Sequence, residues 1–160
     1  MRHVPEALAK WEAWGLERLF MEGRILILDS NTAFGTMLVQ YFSEHDFMAH
    51  APQEFTIGIT DLKSGKYDIA IVELCWKKRQ DKIAQTLKRR AQGTSIILTC
   101  SRHSHEQELR ARSLSPAFYF VKPFEMADLF AVVVRIFEMK NKQRILAVQR
   151  MKRREGVMHG

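Results

Sequence analysis

The sequence predicts an α/β domain of three layers, with a parallel sheet covered by helices on both faces. Short runs such as RILILD (24–29) and YDIAIVEL (67–74) are apolar without alternation, as strands buried on both sides are. Helical periodicities of ~10–15 residues separate them, which is the pattern of successive βαβ units. Polar residues close one strand after another, and in open parallel sheets the working site lies outside the carboxyl ends of the strands.

Each element has a local reason. Residues 5–21 place Pro5 in a first-turn position, with Leu8, Trp11, Leu16, Leu19 and Phe20 on one face, Trp14 on its flank and Gly23 as the stop. Strand 24–29 leads into Ser30-Asn31-Thr32, which offers an N-cap to a helix over 32–44. That helix turns Phe34, Met37, Leu38, Tyr41 and Phe42 inward. A short strand, 46–51, precedes a helix of weak propensity over 53–64, with Gly58 inside it and Ser64-Gly65 at its end. Strand 67–74 follows, then a helix over 79–91 anchored by Ile83 and Leu87 and stopped before Gly93. Strand 94–100, a polar helix over 104–113 and strand 117–121 come next, and Lys122-Pro123 breaks the last strand. An apolar helix over 124–140 closes the pattern and extends toward residue 153. Right-handed crossovers fold these units into one αβα layer stack. The expected divisions are a helical extension over 1–23, the α/β domain over 24–140 and a basic extension over 141–160.

Composition narrows the function. With 160 residues and 46% hydrophobic content, the chain suits one domain with a full core. No apolar run approaches the ~20 residues of a membrane span, and Glu6, Glu12, Glu17 and Glu22 interrupt the start of the chain. The expectation is a cytoplasmic protein without a membrane partner. Cys75 and Cys100 lie far apart with no C-x-x-C, so neither a disulfide nor a zinc site is expected. Trp76 and Cys75 are expected to pack a loop, and His103 and His105 to bind no metal. The net charge of +7 is concentrated from Arg135 onward, where eight Lys and Arg face two Glu, and a second basic cluster spans 77–90. Such clusters meet phosphate or an acidic partner, or form a solvated helix face. No G-x-G-x-x-G, P-loop or nucleophile elbow is present, which speaks against an enzyme.

Asp29, Glu73, Thr99 and Lys122 stand at or just past the ends of four different strands, and the topology brings them to one edge. The blocks ILILDSN, YDIAIVEL, IILTC and FYFVKPF resemble the signature segments of response-regulator receiver domains of bacterial two-component signalling, over about residues 24–140. The resemblance implies a flavodoxin-like (βα)5 sheet of order 2-1-3-4-5. It implies a phosphoryl group taken onto an Asp after the third strand, Mg²⁺ held by two acids after the first, and a Lys and a Thr that contact the phosphoryl group. It also implies an aromatic switch residue, here Tyr119, a cis Lys-Pro bond, and a partner or dimer surface on the fourth helix, fifth strand and fifth helix.

The chain departs from that pattern in three places. Glu73 stands at the acceptor position, Asp29-Ser30 supplies one carboxylate instead of two, and the loop after the third strand reads CWKKRQ. The extra methylene of Glu carries its carboxylate ~1.5 Å farther, while phosphoryl transfer depends on positioning and metal charge. Asp29 and Glu73 therefore make at best a weak Mg²⁺ site, and no cofactor is expected. The expected site is a degenerate one of Asp29, Ser30, Glu73, Thr99 and Lys122, in which Glu73 reaches Lys122 directly and holds the domain in one state. The reading is a stand-alone receiver-like module that signals through protein contacts, too short for an output domain in cis, with an unidentified protein partner and a homodimer as candidate assembly. A phosphorylatable regulator with an unusual acceptor and a nucleic-acid-binding adaptor are the alternatives.

Overall fold

The computed structural model describes residues 23–90 and 92–157. The expected N-terminal helix, with Trp11 and Trp14, lies outside the described residues, as do Ala91 and the last three positions. Five strands, β1 (Arg24–Leu28), β2 (Met48–His50), β3 (Ile69–Glu73), β4 (Ser95–Cys100) and β5 (Phe118–Val121), alternate with five helices. These are α1 (Thr32–Glu44), α2 (Phe55–Lys63), α3 (Gln80–Lys88), α4 (His105–Ser113) and α5 (Met126–Val157). All strand pairs are parallel, as the apolar runs predict, and the order is β2-β1-β3-β4-β5, as the resemblance implies.

Strand alternation sorts the core into two halves. Ile25, Ile27, Ile69, Ile71, Ile97 and Phe120 pack under Leu38 and Phe42 of α1 and Leu129, Val133 and Phe137 of α5. Leu26, Leu28, Val72, Ile96 and Leu98 pack under Ile59 and Leu62 of α2, Ile83 and Leu87 of α3 and Ala111 of α4. Burial on both faces is why these strands read as unbroken apolar runs.

Gly58, the feature that made α2 look weak, is there for contact. A Cβ at this position would stand 2.2 Å from Leu28 Cδ2, so glycine lets α2 approach β1 with Leu28 in its present place.

The last helix runs farther than expected, 32 residues to Val157, or ~48 Å at the α-helical rise. It passes the amino ends of the strands, where a polar clasp ties it down. Asp68 accepts from the Arg24 backbone N–H at 3.0 Å and from Arg144 Nη2 at 2.5 Å. The Lys140 ammonium donates to the Gly93 carbonyl. Beyond the clasp, Leu146, Met151 and Val157 are exposed among basic residues. Among the described residues no helix is long and apolar enough to cross a membrane.

Candidate functional site

Register and alternation build the site at the carboxyl edge. Glu73 pairs with Thr99 across β3 and β4, and paired residues of parallel strands share a face. Asp29 continues the side of Ile25 and Ile27, Glu73 that of Ile69 and Ile71, Thr99 that of Ile97, and Lys122 that of Phe120. Four of the five expected site residues, all but Ser30, therefore emerge on the α1/α5 side of the sheet. Tyr119, one position off, packs with the opposite core half.

The pairing among them differs from the sequence expectation. Lys122 Nζ donates to Asp29 Oδ2 at 2.6 Å, not to Glu73. It also sits 4.2 Å from the centre of the Phe34 ring, a cation–π contact. Glu73 instead accepts from the Ser30 backbone N–H at 2.8 Å and the Ser30 hydroxyl at 2.5 Å. The expected Glu73–Lys122 lock is corrected to two separate pairs. The reason is local: the first turn after β1 brings a donor, Ser30, to the Glu73 carboxylate, and leaves Asp29 as the acid facing β5. Asp29 Oδ1 accepts from the Asn31 N–H at 2.8 Å, and Asn31 caps α1 by accepting from the Phe34 N–H at 3.1 Å. Asp29 is therefore not the cap itself.

Burial dominates the electrostatics. It pushes the Asp29 carboxyl above its ordinary value, against the opposing pull of the Lys122 and Asn31 hydrogen bonds, and the Glu73 charge adds to the push. Thr99 is fully buried, and its hydroxyl has no hydrogen-bond partner among the described residues.

The Mg²⁺ site implied by the resemblance does not fit these residues. It would rest on Asp29 and Glu73, but both Asp29 oxygens and Glu73 Oε2 already accept from Lys122, Asn31 and Ser30. The position of the second expected acid holds the Ser30 donor. Among the described residues no group of three or more His, Cys, Asp or Glu side chains is placed to hold a metal ion.

The loops around the site contain what sequence reasoning missed. Cys75 and Cys100 are joined by a disulfide, with Cα atoms 5.5 Å apart, in the usual range for such a bond. Their separation of 25 residues hid this. The signal that could have found it is the strand register, because Cys75 lies two residues past Glu73 and Cys100 one past Thr99. Trp76 is loop packing as expected, edge-on to Phe55 with ring centres 5.1 Å apart. His103 lies beside Tyr119, its Nδ1 3.4 Å from the phenol oxygen, and burial raises that phenol above its ordinary value, with Glu108 adding to the effect. The Lys122–Pro123 bond is cis, as the resemblance implies. The 77–90 cluster is partly used by the fold: Arg79 stacks on Phe55 at 4.2 Å and Arg90 donates to the Leu87 carbonyl at 2.8 Å.

No family model matches the chain. Over 110 residues it is 24% identical to the transcriptional activator protein IrlR of Burkholderia pseudomallei, covering 69% of this chain and 48% of that protein. The chain thus spans about half the length of the curated relatives it matches. Among solved structures, a response regulator receiver domain protein from Methanospirillum hungatei superposes with a TM-score of 0.66 at 18% identity, covering 75% of this chain and 97% of that one. A signal receiver domain from Vibrio parahaemolyticus gives a TM-score of 0.68 at 13% identity, covering 78% and 97%. The five-stranded sheet, its order and these superpositions establish that the chain has the fold of the response-regulator receiver domains.

Proposed function

We propose that the chain is a receiver-like signalling module that acts through protein contacts in the cytoplasm, without phosphoryl transfer to Glu73 and without enzymatic activity of its own. The observation that carries this reading is the closed set of pairs at the carboxyl edge: Lys122 with Asp29 at 2.6 Å, and Ser30 with Glu73 at 2.8 and 2.5 Å. A carboxylate that attacks phosphorus in line needs a metal to gather charge and an anion-binding cation beside it. Here the cation is held by one acid and the acceptor by a serine. A charge-assisted contact at Lys122 gives the edge one settled arrangement in the absence of modification.

The face of α4, β5 and α5 supports the protein-contact part of the proposal. It exposes Leu109, Phe118, Val121 and Met139, and it is the surface the resemblance assigns to a partner or a second copy. The basic end of α5 favours a second reading, nucleic-acid binding, which predicts affinity that falls steeply with salt. A filter-binding titration across salt concentrations separates the two, since a protein-contact module shows no such binding even at low salt.

Incubation of the protein with acetyl phosphate and Mg²⁺, followed by intact-mass measurement, tests the main proposal. The expected outcome is no phosphoryl adduct. A stoichiometric, Mg²⁺-dependent adduct on Glu73 overturns it.

A further inference from the structure

We propose that Cys75 and Cys100 form a reversible thiol–disulfide switch that fastens the loop after β3 to the end of β4, and so sets the mobility of that loop by the surrounding thiol poise. Three features carry this. The bridge joins the two residues that flank the site, Cys75 just past Glu73 and Cys100 just past Thr99. The two sulfurs are unequally placed: Cys100 is fully buried, whereas Cys75 is half-buried and lines a cleft of about 340 Å³ shared with Glu73, Trp76, Lys77 and Arg102. Lys77 and Arg102 give that cleft positive charge, which favours the thiolate form of an exposed cysteine.

Chemically, the thiolate of a small thiol attacks Cys75 Sγ from the cleft. The Cys75–Cys100 bond breaks, and its electron pair leaves with Cys100 Sγ, which takes up a proton. A second small thiol resolves the mixed disulfide, releasing the Cys75 thiol and a small-molecule disulfide, so that two thiols supply the two electrons. Oxidation by a small-molecule disulfide runs the same steps in reverse. Buried Cys100 is reached only through Cys75, which makes the exchange ordered.

The structural consequence falls on Cys75. Cys100 is the last residue of β4, paired with Val121, and its carbonyl accepts from the Lys122 N–H at 2.9 Å in both states. Cys75 lies in the loop after β3, which starts at Leu74, whose N–H donates to the Thr99 carbonyl at 2.8 Å, and runs through the exposed residues 77–79. With the bridge closed, this loop is tied to β4 through Cys75 as well as held by the contacts of Trp76 and Arg79 with Phe55. With the bridge open, the tie through Cys75 is lost.

The whole chain, equilibrated with reduced or oxidised glutathione, tests this by alkylation mass spectrometry and hydrogen exchange. The oxidised protein is expected to lack two hydrogen atoms and to resist alkylation, and the reduced protein to take two alkyl groups. Peptides spanning 75–79 are expected to exchange on the order of tenfold faster when reduced. A Cys75→Ser variant is expected to exchange at the fast rate under both conditions. Two alkylatable thiols at every glutathione ratio, a glutathione adduct on Cys75 that never resolves, or exchange across 75–79 that ignores the redox state would each overturn the proposal. None of these readouts involves phosphorylation, so the outcome is independent of the function proposed above.

Discussion

The two edges of the sheet solve a similar problem in different surroundings. At the carboxyl edge, Lys122 meets Asp29 at 2.6 Å with side chains 17% and 3% exposed. At the amino edge, Arg144 meets Asp68 at 2.5 Å with side chains 45% and 15% exposed. The contacts differ by only 0.1 Å in length, yet solvent screens one far more than the other. The buried pair is part of the site where four strands deliver polar groups. The exposed pair clasps a long helix to the rest of the fold. Contact distance alone would not distinguish them, but burial does.

The largest expected break in that comparison is Lys122→Ala. It leaves Asp29 buried without its cation, and losing one partner of a buried pair destabilises by ~3–5 kcal/mol. Urea unfolding at neutral pH checks this. Gly58→Ala comes next. The new Cβ, 2.2 Å from Leu28 Cδ2, displaces the buried Leu28 side chain or α2 itself just before Asp29, and overpacking of this kind costs about 1–3 kcal/mol. An unchanged urea midpoint would show that Leu28 and α2 yield more easily than the contact implies.

A pH series sharpens the difference at Asp29. Burial raises this carboxyl above its ordinary value of 3.8, so the folded chain keeps the proton where the unfolded chain has released it. The resulting stability is fully present below the ordinary value and is lost as pH rises through the raised one. Asp29→Asn removes that contribution. Plotted against pH, the stability of the native protein relative to the variant should fall across that window and level off above it. The smallest effect is expected at the exposed clasp, where Arg144→Ala should cost ~0.2–1 kcal/mol, as screened pairs do, and progressively less as salt is added.

The fold was legible because its signals are local and redundant. Ile25, Ile27, Ile69 and Ile71 sit in strands buried on both faces, and each strand carries that pattern in its own residues. The site was legible as a set, because strand parity and the closing positions of Asp29, Glu73, Thr99 and Lys122 are also local facts. The partners within the set were not. Whether Lys122 meets Asp29 or Glu73 depends on where the turn after β1 places Ser30, and residue type alone favoured the longer acid. The disulfide was hidden for a similar reason. Sequence distance separates Cys75 from Cys100, and only the register of β3 against β4 brings them together. The capacity of Phe34 to sit against Lys122 likewise comes from the packing of α1, which its own helical periodicity marks only as an inward position.

The most direct test of the central claim compares the native chain with a Glu73→Asp, Ser30→Asp double variant, each incubated with acetyl phosphate and Mg²⁺ and read by intact mass. If the mutual pairing of Asp29, Lys122, Ser30 and Glu73 has closed the site to phosphoryl transfer, the native chain gains no mass and the double variant, with its acid pair and shorter acceptor restored, gains one phosphoryl group. A phosphoryl group on Glu73 of the native chain would contradict the account.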